Sequence, residues 1–287
     1  MDMIKVLDHG YVSLIESWGS DERIIEAARM STGKGFQGWG GSCSCNGNGV
    51  IGDASPCEMC KGTGAIVGDE KLLRFLWDNK HATPFEMAGV VIESQAPIGV
   101  YREWHRHRTQ SYAEMSARYT PLPDVNYIPS VERLMVNSKT NKQAGTIKGA
   151  DELTVEQAEL YRQGLANMYA DQESMYQKAL QAGVPKELAR MHIGVGRYSR
   201  MRATANLRNW LGFLTLRMAP GAQWEIRQYA DAVHAVLTRL FPRTLALFDE
   251  GTVMQETLNA LFASLRAAGE DAIKFLRDTT VIMNGRP

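Results

Sequence analysis

From Gly33 to Gly68 the sequence runs to Gly, Ser, Asn and Cys with few large apolar residues. A segment of that composition cannot bury enough apolar surface to fold by itself without a staple. The core must therefore come from the segments on either side, with this stretch inserted between them as a loop. At 287 residues the chain still has material for one large domain or two ordinary ones. The organisation this predicts is a domain over residues 1–250, interrupted by a Cys/Gly-rich insertion at 35–67 and followed by a helical tail at 251–287.

Periodicity assigns elements around the insertion. Ile4 to Gly10 and Tyr11 to Ile15 read as two short strands about a turn, and Ile24, Ile25 and Ala28 give residues 21–29 a helical period with Ser20 as N-cap. Leu72, Leu73, Phe75 and Leu76 mark a helix over 69–80 that Thr83-Pro84-Phe85-Glu86 breaks, and Ala88 to Ser94 is β-rich. Pro97 suits the first turn of a helix running through Ile98, Val100, Tyr101 and Trp104 into Arg106-His107-Arg108. Residues 121–148 are polar and turn-rich. A long amphipathic helix spans 154–182, ended by Gly183 and Pro185, and further helices follow at 185–193, 206–218, 222–241 and 252–278.

Lys and Arg together number 32, as do Asp and Glu, so affinity for anions has to come from local clusters. That balance weighs against nucleic acid as the main partner. No apolar run reaches the roughly 18 residues of a membrane span, and Met1-Asp2-Met3-Ile4-Lys5 lacks the apolar core of a signal peptide, so a cytoplasmic location is expected. All four cysteines, Cys43, Cys45, Cys57 and Cys60, lie in the insertion, which in a cytosolic chain favours a metal site over disulfides. Cys43-Ser44-Cys45-Asn46-Gly47-Asn48-Gly49 and Cys57-Glu58-Met59-Cys60-Lys61-Gly62-Thr63-Gly64 resemble the half-knuckles in the zinc domain of J-domain chaperones, although the first pair is spaced Cys-x-Cys. Four sulfurs satisfy tetrahedral zinc; free thiols in a loop are the alternative.

Chemistry concentrates between Arg106 and Tyr119, where three arginines, a histidine, a glutamate and two serines share one short window. Guanidinium groups suit bidentate binding of phosphate and stay charged at any working pH. On a helix Arg102 and Arg106 share a face. A second basic region follows at Arg190, Arg197, Arg200, Arg202, Arg208 and Arg217. Two phosphate-bearing ligands could be held in this way, unless the arginines are solvated or pair with the many glutamates.

Three separated segments resemble the flavin-dependent thymidylate synthases. The first is His81 followed by Thr83-Pro84-Phe85-Glu86; in that family Thr83 and Glu86 would approach the flavin. The second is Arg106-His107-Arg108 with Ser116 and Arg118-Tyr119. There the resemblance implies that the triplet holds FAD, that Glu114 lies by both ligands, and that Ser116, Ala117 and Arg118 surround the nucleotide with Glu103 near the uracil edge. The third is Ala189-Arg190, Asn206-Leu207-Arg208, Leu216-Arg217 and Ala222-Gln223-Trp224-Glu225-Ile226, implying that Arg190 and Arg217 contact dUMP and that Asn206 and Arg208 contact flavin. Ala113, Gly212 and Gly221 depart from the pattern, since they stand where many members carry Asn or His, and they remove hydrogen-bonding side chains near FAD.

The resemblance further implies an α+β fold, a central mixed or antiparallel sheet with long helices, and a homotetramer with active sites between chains. It implies reductive methylation of dUMP to dTMP, with FAD as cofactor and with NADPH and methylenetetrahydrofolate as co-substrates. Arg118 and Arg217 would be the catalytic polarising groups and Arg190 the phosphate ligand. The chain has no cysteine outside the insertion, and Ser116 reads as a binding residue because an unactivated hydroxyl is a poor nucleophile. UMP or another pyrimidine nucleotide is an alternative substrate, since no residue reports on the 2′ position. An alternative of another class is a zinc-knuckle nucleic-acid-binding protein on a catalytically degenerate scaffold.

Overall fold

The computed structural model describes residues 3–42, 45, 57–58, 60–66, 68–136 and 152–267. Two strands, β1 (Met3–Val6) and β2 (Gly10–Trp18), form a hairpin, and α1 (Asp21–Arg29) follows, capped by the Ser20 hydroxyl accepting from the Arg23 amide. The insertion contributes a two-stranded ribbon, β3 (Gly41–Ser42) with β4 (Ala65–Ile66). Helices α2 (Glu70–Asp78) and α3 (Ala82–Glu86) lead to β5 (Gly89–Pro97), α4 (Ile98–Trp104) and β6 (Ser111–Glu114). Beyond α5 (Val131–Met135), the long α6 (Val155–Gln181) and the single turn α7 (Lys186–Ala189), the chain enters β7 (Tyr198–Asn206). Three helices complete it: α8 (Leu207–Arg217), α9 (Trp224–Leu240) and α10 (Pro242–Ala267).

Five strands make one sheet in the order β1-β2-β5-β7-β6, antiparallel at every pairing. Alternation decides its faces. Val90, Ile92, Ser94 and Ala96 on β5 and Met201, Ala203 and Ala205 on β7 point into the core, while Arg200 and Arg202 point out. The buried face is covered by α9, whose Ile226, Tyr229, Ala230, Val233 and Leu237 recur at helical spacing. Each large side chain removed from water in this way contributes about 1.5–3 kcal/mol. Gly10 is required by the fit: a Cβ there would lie 2.0 Å from the Tyr229 hydroxyl, which donates to the Gln95 carbonyl.

Three expectations change. Thr83 to Glu86 do not break a helix; they lie in the short α3, where Pro84 occupies an early position that needs no amide donor. Helix α4 stops at Trp104, so Arg106, His107 and Arg108 lie in the turn beyond it and Arg102 and Arg106 share no helix face. Residues 194–205, which periodicity leaves without an element, supply most of β7, a central strand. Residues 137–151 and 268–287, with much of the polar run and the end of the tail, lie outside the described residues. Among the described residues no helix is long and apolar enough to cross a membrane.

Candidate active site

The turn from His105 to Gln110 is built on Trp104. Its ring is fully buried, stacked on Phe213 at 4.8 Å between centroids, and its indole N–H donates to Gln110 Oε1 at 3.0 Å. The Tyr112 hydroxyl donates to the carbonyls of Trp104 and His107 at 3.2 and 2.6 Å, and β6 then pairs with β7 from Ser111 opposite Thr204 to Glu114 opposite Met201. A buried aromatic, an amide and a phenol thus hold a loop whose Arg106 and Arg108 are exposed. Neither guanidinium is in an ion pair among the described residues, so both are available to an anion.

On one flank of α4 a cavity of 570 Å³ opens, lined by Tyr101, Arg102, His105, Glu114, Ser116, Ala117, Leu122, Arg190, Met191 and Ser199 among others. That volume is in the ordinary range for a small-molecule site, about 300–1,000 Å³. Glu114, Ser116, Ala117 and Arg190 meet here as the sequence predicts. Arg102, His105 and Ser199 are additions: the first was legible only as a neighbour of the triplet, and Ser199 carried no signal, yet its buried Oγ has no partner. The Ser116 hydroxyl accepts from the Arg118 amide at 3.3 Å, and its carbonyl accepts from Tyr119 and Thr120. Ser116 therefore shapes a turn and has no base among these bonds. Arg118 is exposed, its guanidinium 5.5 Å from the Tyr119 ring centre.

Arg217 and Glu103 do not line that cavity. Arg217, at the end of α8, donates from Nε to His107 Nε2, from one terminal nitrogen to Glu103 Oε2, and from the other to the Glu103 carbonyl, each at 2.8 Å. Burial, and then the Arg217 charge, push the His107 imidazole down to about 4, so it is neutral at pH 7 and accepts the guanidinium proton. His107 thus supports Arg217 directly. Its edge also packs on Phe213 at 4.9 Å between ring centres.

At the far end of β7, the Glu86 carboxylate on α3 accepts from Arg208 on α8 at 2.7 Å. Asn206 caps α8 by accepting from the Asn209 amide, and Asn209 reaches across to the Thr109 carbonyl at 3.2 Å. This joins Glu86, Asn206 and Arg208 to the loop of Arg106 and Arg108, and Thr83 is exposed on the same short helix as Glu86. A cavity of 290 Å³ adjoins it, lined by His81, Ala82, Phe85, Arg208 and Leu211. Unpaired cations beside hydrogen-bonding side chains and an apolar recess fit a dinucleotide that carries a diphosphate. Cβ atoms at Gly212 or Gly221 would meet nothing within 4 Å, so packing does not demand glycine at either place.

The remaining arginines sort by surroundings. Arg197 is buried and bound by Asp124 and Glu173 at 3.0 and 2.6 Å, and is structural. Arg202 pairs with Glu93 on the outer sheet face. Glu225, in the last resembling segment, is buried against Arg133 at 2.8 Å and fixes α5 to α9. Sequence spacing cannot separate such ties from ligand contacts. In the insertion Cys45, Cys57 and Cys60 come together, while Cys43 lies outside the described residues.

Residues 13–243 match the family described as "Thymidylate synthase complementing protein". The chain is 34% identical over 257 residues to a flavin-dependent thymidylate synthase of Anaplasma marginale, covering 89% of this chain and 77% of the relative. It is 35% identical over 247 residues to that of Thermus thermophilus, covering 86% and 78%. Among solved structures it is similar to a UMP/dUMP methylase from Streptomyces cacaoi bound with 5-Br UMP, at a TM-score of 0.65 and 26% identity over 85% of this chain and 96% of that one. A second structure of that methylase, bound with 5-Br dUMP, agrees equally well, again with a TM-score of 0.65.

Proposed function

Because the chain belongs to the flavin-dependent thymidylate synthase family, we propose that it converts dUMP to dTMP by reductive methylation at C5 of the uracil ring, with methylenetetrahydrofolate as one-carbon donor and NADPH as reductant. The observation that carries this reading is the cavity where Arg190, Arg102 and the Glu114-Met115-Ser116-Ala117 turn converge with, among the described residues, no carboxylate paired to either arginine. Arg190 takes the phosphate through charge-assisted hydrogen bonds. Glu114 and the Ser116-Ala117 turn orient the nucleotide, and Arg118 and Arg217 stabilise the enolate-like charge that develops on the uracil when C5 becomes nucleophilic.

The donor set at the other end of β7 fits FAD: Arg106 and Arg108 for its phosphates, and Thr83, Glu86, Asn206 and Arg208 for its remaining polar edges. FAD, when bound, supplies the hydride that completes the methyl group. The protein's own part is to orient the two ligands, hold fixed charge near them and keep water out.

Seven residue steps of β7 separate Ser199 from Asn206, about 24 Å of extended chain. Within one chain Arg217 and Glu103 lie outside the cavity's lining, and Asn206 with Arg208 stand at the opposite end of β7 from Ser199. This supports a homotetramer whose sites lie between chains, a second copy completing each site. The non-enzymatic alternative has less support, since Arg106, Arg108 and Arg190 all retain placements suited to ligands.

A second reading, methylation of UMP, is favoured by the likeness to a methylase whose structures hold both 5-Br UMP and 5-Br dUMP. The test is anaerobic turnover of FAD-loaded protein with NADPH, methylenetetrahydrofolate and either dUMP or UMP, read by mass spectrometry. Formation of dTMP supports the main reading, methylated UMP alone supports the second, and flavin loading with neither product refutes both.

A further inference from the structure

The methylation chemistry leaves the insertion unused, yet its cysteines are arranged. Ribbon β3–β4 pairs Gly41 with Ile66 and Ser42 with Ala65, which brings the two ends of the cysteine-bearing stretch together. Cys45 follows the first and Cys57 and Cys60 precede the second. Their sulfurs all lie within 4.8 Å of one another. Cys57 and Cys60 are 7% and 5% exposed, and with Cys45 they form an apolar cluster of their own, apart from the main core. Among the described residues the cluster holds sulfur side chains and no large hydrocarbon side chain.

Geometry separates the remaining explanations. Cys45 Sγ and Cys60 Sγ stand 3.7 Å apart. A disulfide requires about 2.05 Å. Two thiolates on a tetrahedral zinc with bonds of about 2.3 Å are separated by about 3.8 Å. After Cys60 the backbone takes φ of 51° at Lys61, 83° at Gly62 and 74° at Gly64, and it folds back so that the Gly64 amide donates to Cys60 Sγ at 3.3 Å. The turn thus aims a backbone N–H at the sulfur.

The base of the insertion needs no such help. Asp69 is buried and accepts from Arg29 and from the Gln37 amide at 2.8 Å. The Gly40 amide donates to Glu70 at 2.6 Å, the Trp39 indole to Glu22 at 2.8 Å, and the Arg243 guanidinium lies 4.2 Å from the Trp39 ring centre. Carboxylates therefore clamp the base to α1 and α2 and the Arg243 guanidinium ties it to α10, while the described part of the tip gathers around its sulfurs.

We propose that Cys45, Cys57 and Cys60 bind one zinc ion, which staples the tip of the insertion and takes no part in methyl transfer. Cys43, which the sequence groups with them, lies outside the described residues. Among the described residues, none of the insertion lines the nucleotide cavity. Binding releases the thiol protons to solvent and changes no oxidation state.

The test uses full-length protein purified without chelators and analysed by inductively coupled plasma mass spectrometry. About one zinc per chain is expected, together with the absorption of a tetrahedral thiolate site after exchange to cobalt(II). Cys57→Ser and Cys60→Ser should each lose the metal and keep dUMP turnover. Since a serine variant can fail to fold, a second readout uses the unmodified protein. Lys61 is the only Lys or Arg between Lys34 and Lys71 and is exposed, so stripping the metal should open a tryptic cut after Lys61 while the body stays intact. Metal far below one per chain after zinc reconstitution, zinc retained by Cys60→Ser, or turnover lost with an intact fold would each overturn the proposal. The metal and protease readouts stand whether or not dUMP is the substrate.

Discussion

Acidification should expose the bond between His107 and Arg217. An ordinary histidine titrates near 6.5, whereas His107 is held at about 4 by burial and by the Arg217 charge. The folded state therefore favours the neutral ring. Its contribution to stability is complete above about pH 6.5 and is lost as the pH falls towards 4. Between pH 7 and pH 5 these values give a loss of about 2 kcal/mol. The ring is only partly buried, so solvent screening reduces this to about 1 kcal/mol, or roughly 2–4 °C in Tm for a chain of this size. His107→Gln keeps a neutral acceptor for Arg217 Nε and removes the titration. Thermal melts of both proteins at pH 7 and pH 5, at equal concentration, should show that extra loss only with histidine present. A ring proton followed by NMR should titrate well below 6. Equal pH dependence in the two proteins, or a ring titrating at 6.5 or above, would refute the arrangement.

Other outcomes follow from the same geometry. Arg190→Ala should raise KM for the nucleotide by about 10- to 100-fold, the equivalent of losing about 1.5–3 kcal/mol of charge-assisted bonding, while flavin absorbance stays constant; unchanged KM would remove Arg190 from the phosphate site. Arg106→Ala should instead deplete bound flavin, and normal flavin content would contradict its role. Gly212→Ala, at an open position inside α8, should stabilise the protein by about 0.5–1 kcal/mol; a lower Tm would mean the position is crowded in the assembly. Mixing Arg190→Ala with Arg217→Ala chains should recover about a quarter of native activity at random assembly, because sites shared between two chains can draw both intact halves from different variants. Additive inactivity in the mixture would argue for sites within single chains.

Much of this was legible in the residues. Ser20, Gly183 and the apolar spacing of α1, α2, α6, α8 and α9 marked helices, because capping and the helical period are local signals. Strand β7 was not. Its inward residues after Tyr198 and Ser199 are Met201, Ala203 and Ala205, too small to stand out beside Arg200 and Arg202, so a central strand reads as a basic run. The short β6 shows no pattern of its own and exists because β7 is there to pair with it. At the site, the ordered arginines pointed to the right neighbourhood, but spacing along a chain says nothing about which faces meet. The partition of Glu103 and Arg217 from Arg190, and the burial of Arg197 among carboxylates, depend on packing between distant segments.

Strand β7 also divides the chain into places where evolution can and cannot change its length. Deleting one residue from it would shorten the span between its ends by about 3.4 Å and turn Arg200 and Arg202 inward, exchanging charge for the alanines of the buried face. Such a change would damage core and site together, so insertions and deletions should be purged there. The junction of α1 and α2 answers to no such constraint, for residues 33–68 lie between the two helices with their base clamped by side chains of the body. Relatives should therefore vary freely in length at that junction and hold the central strand to a fixed residue count.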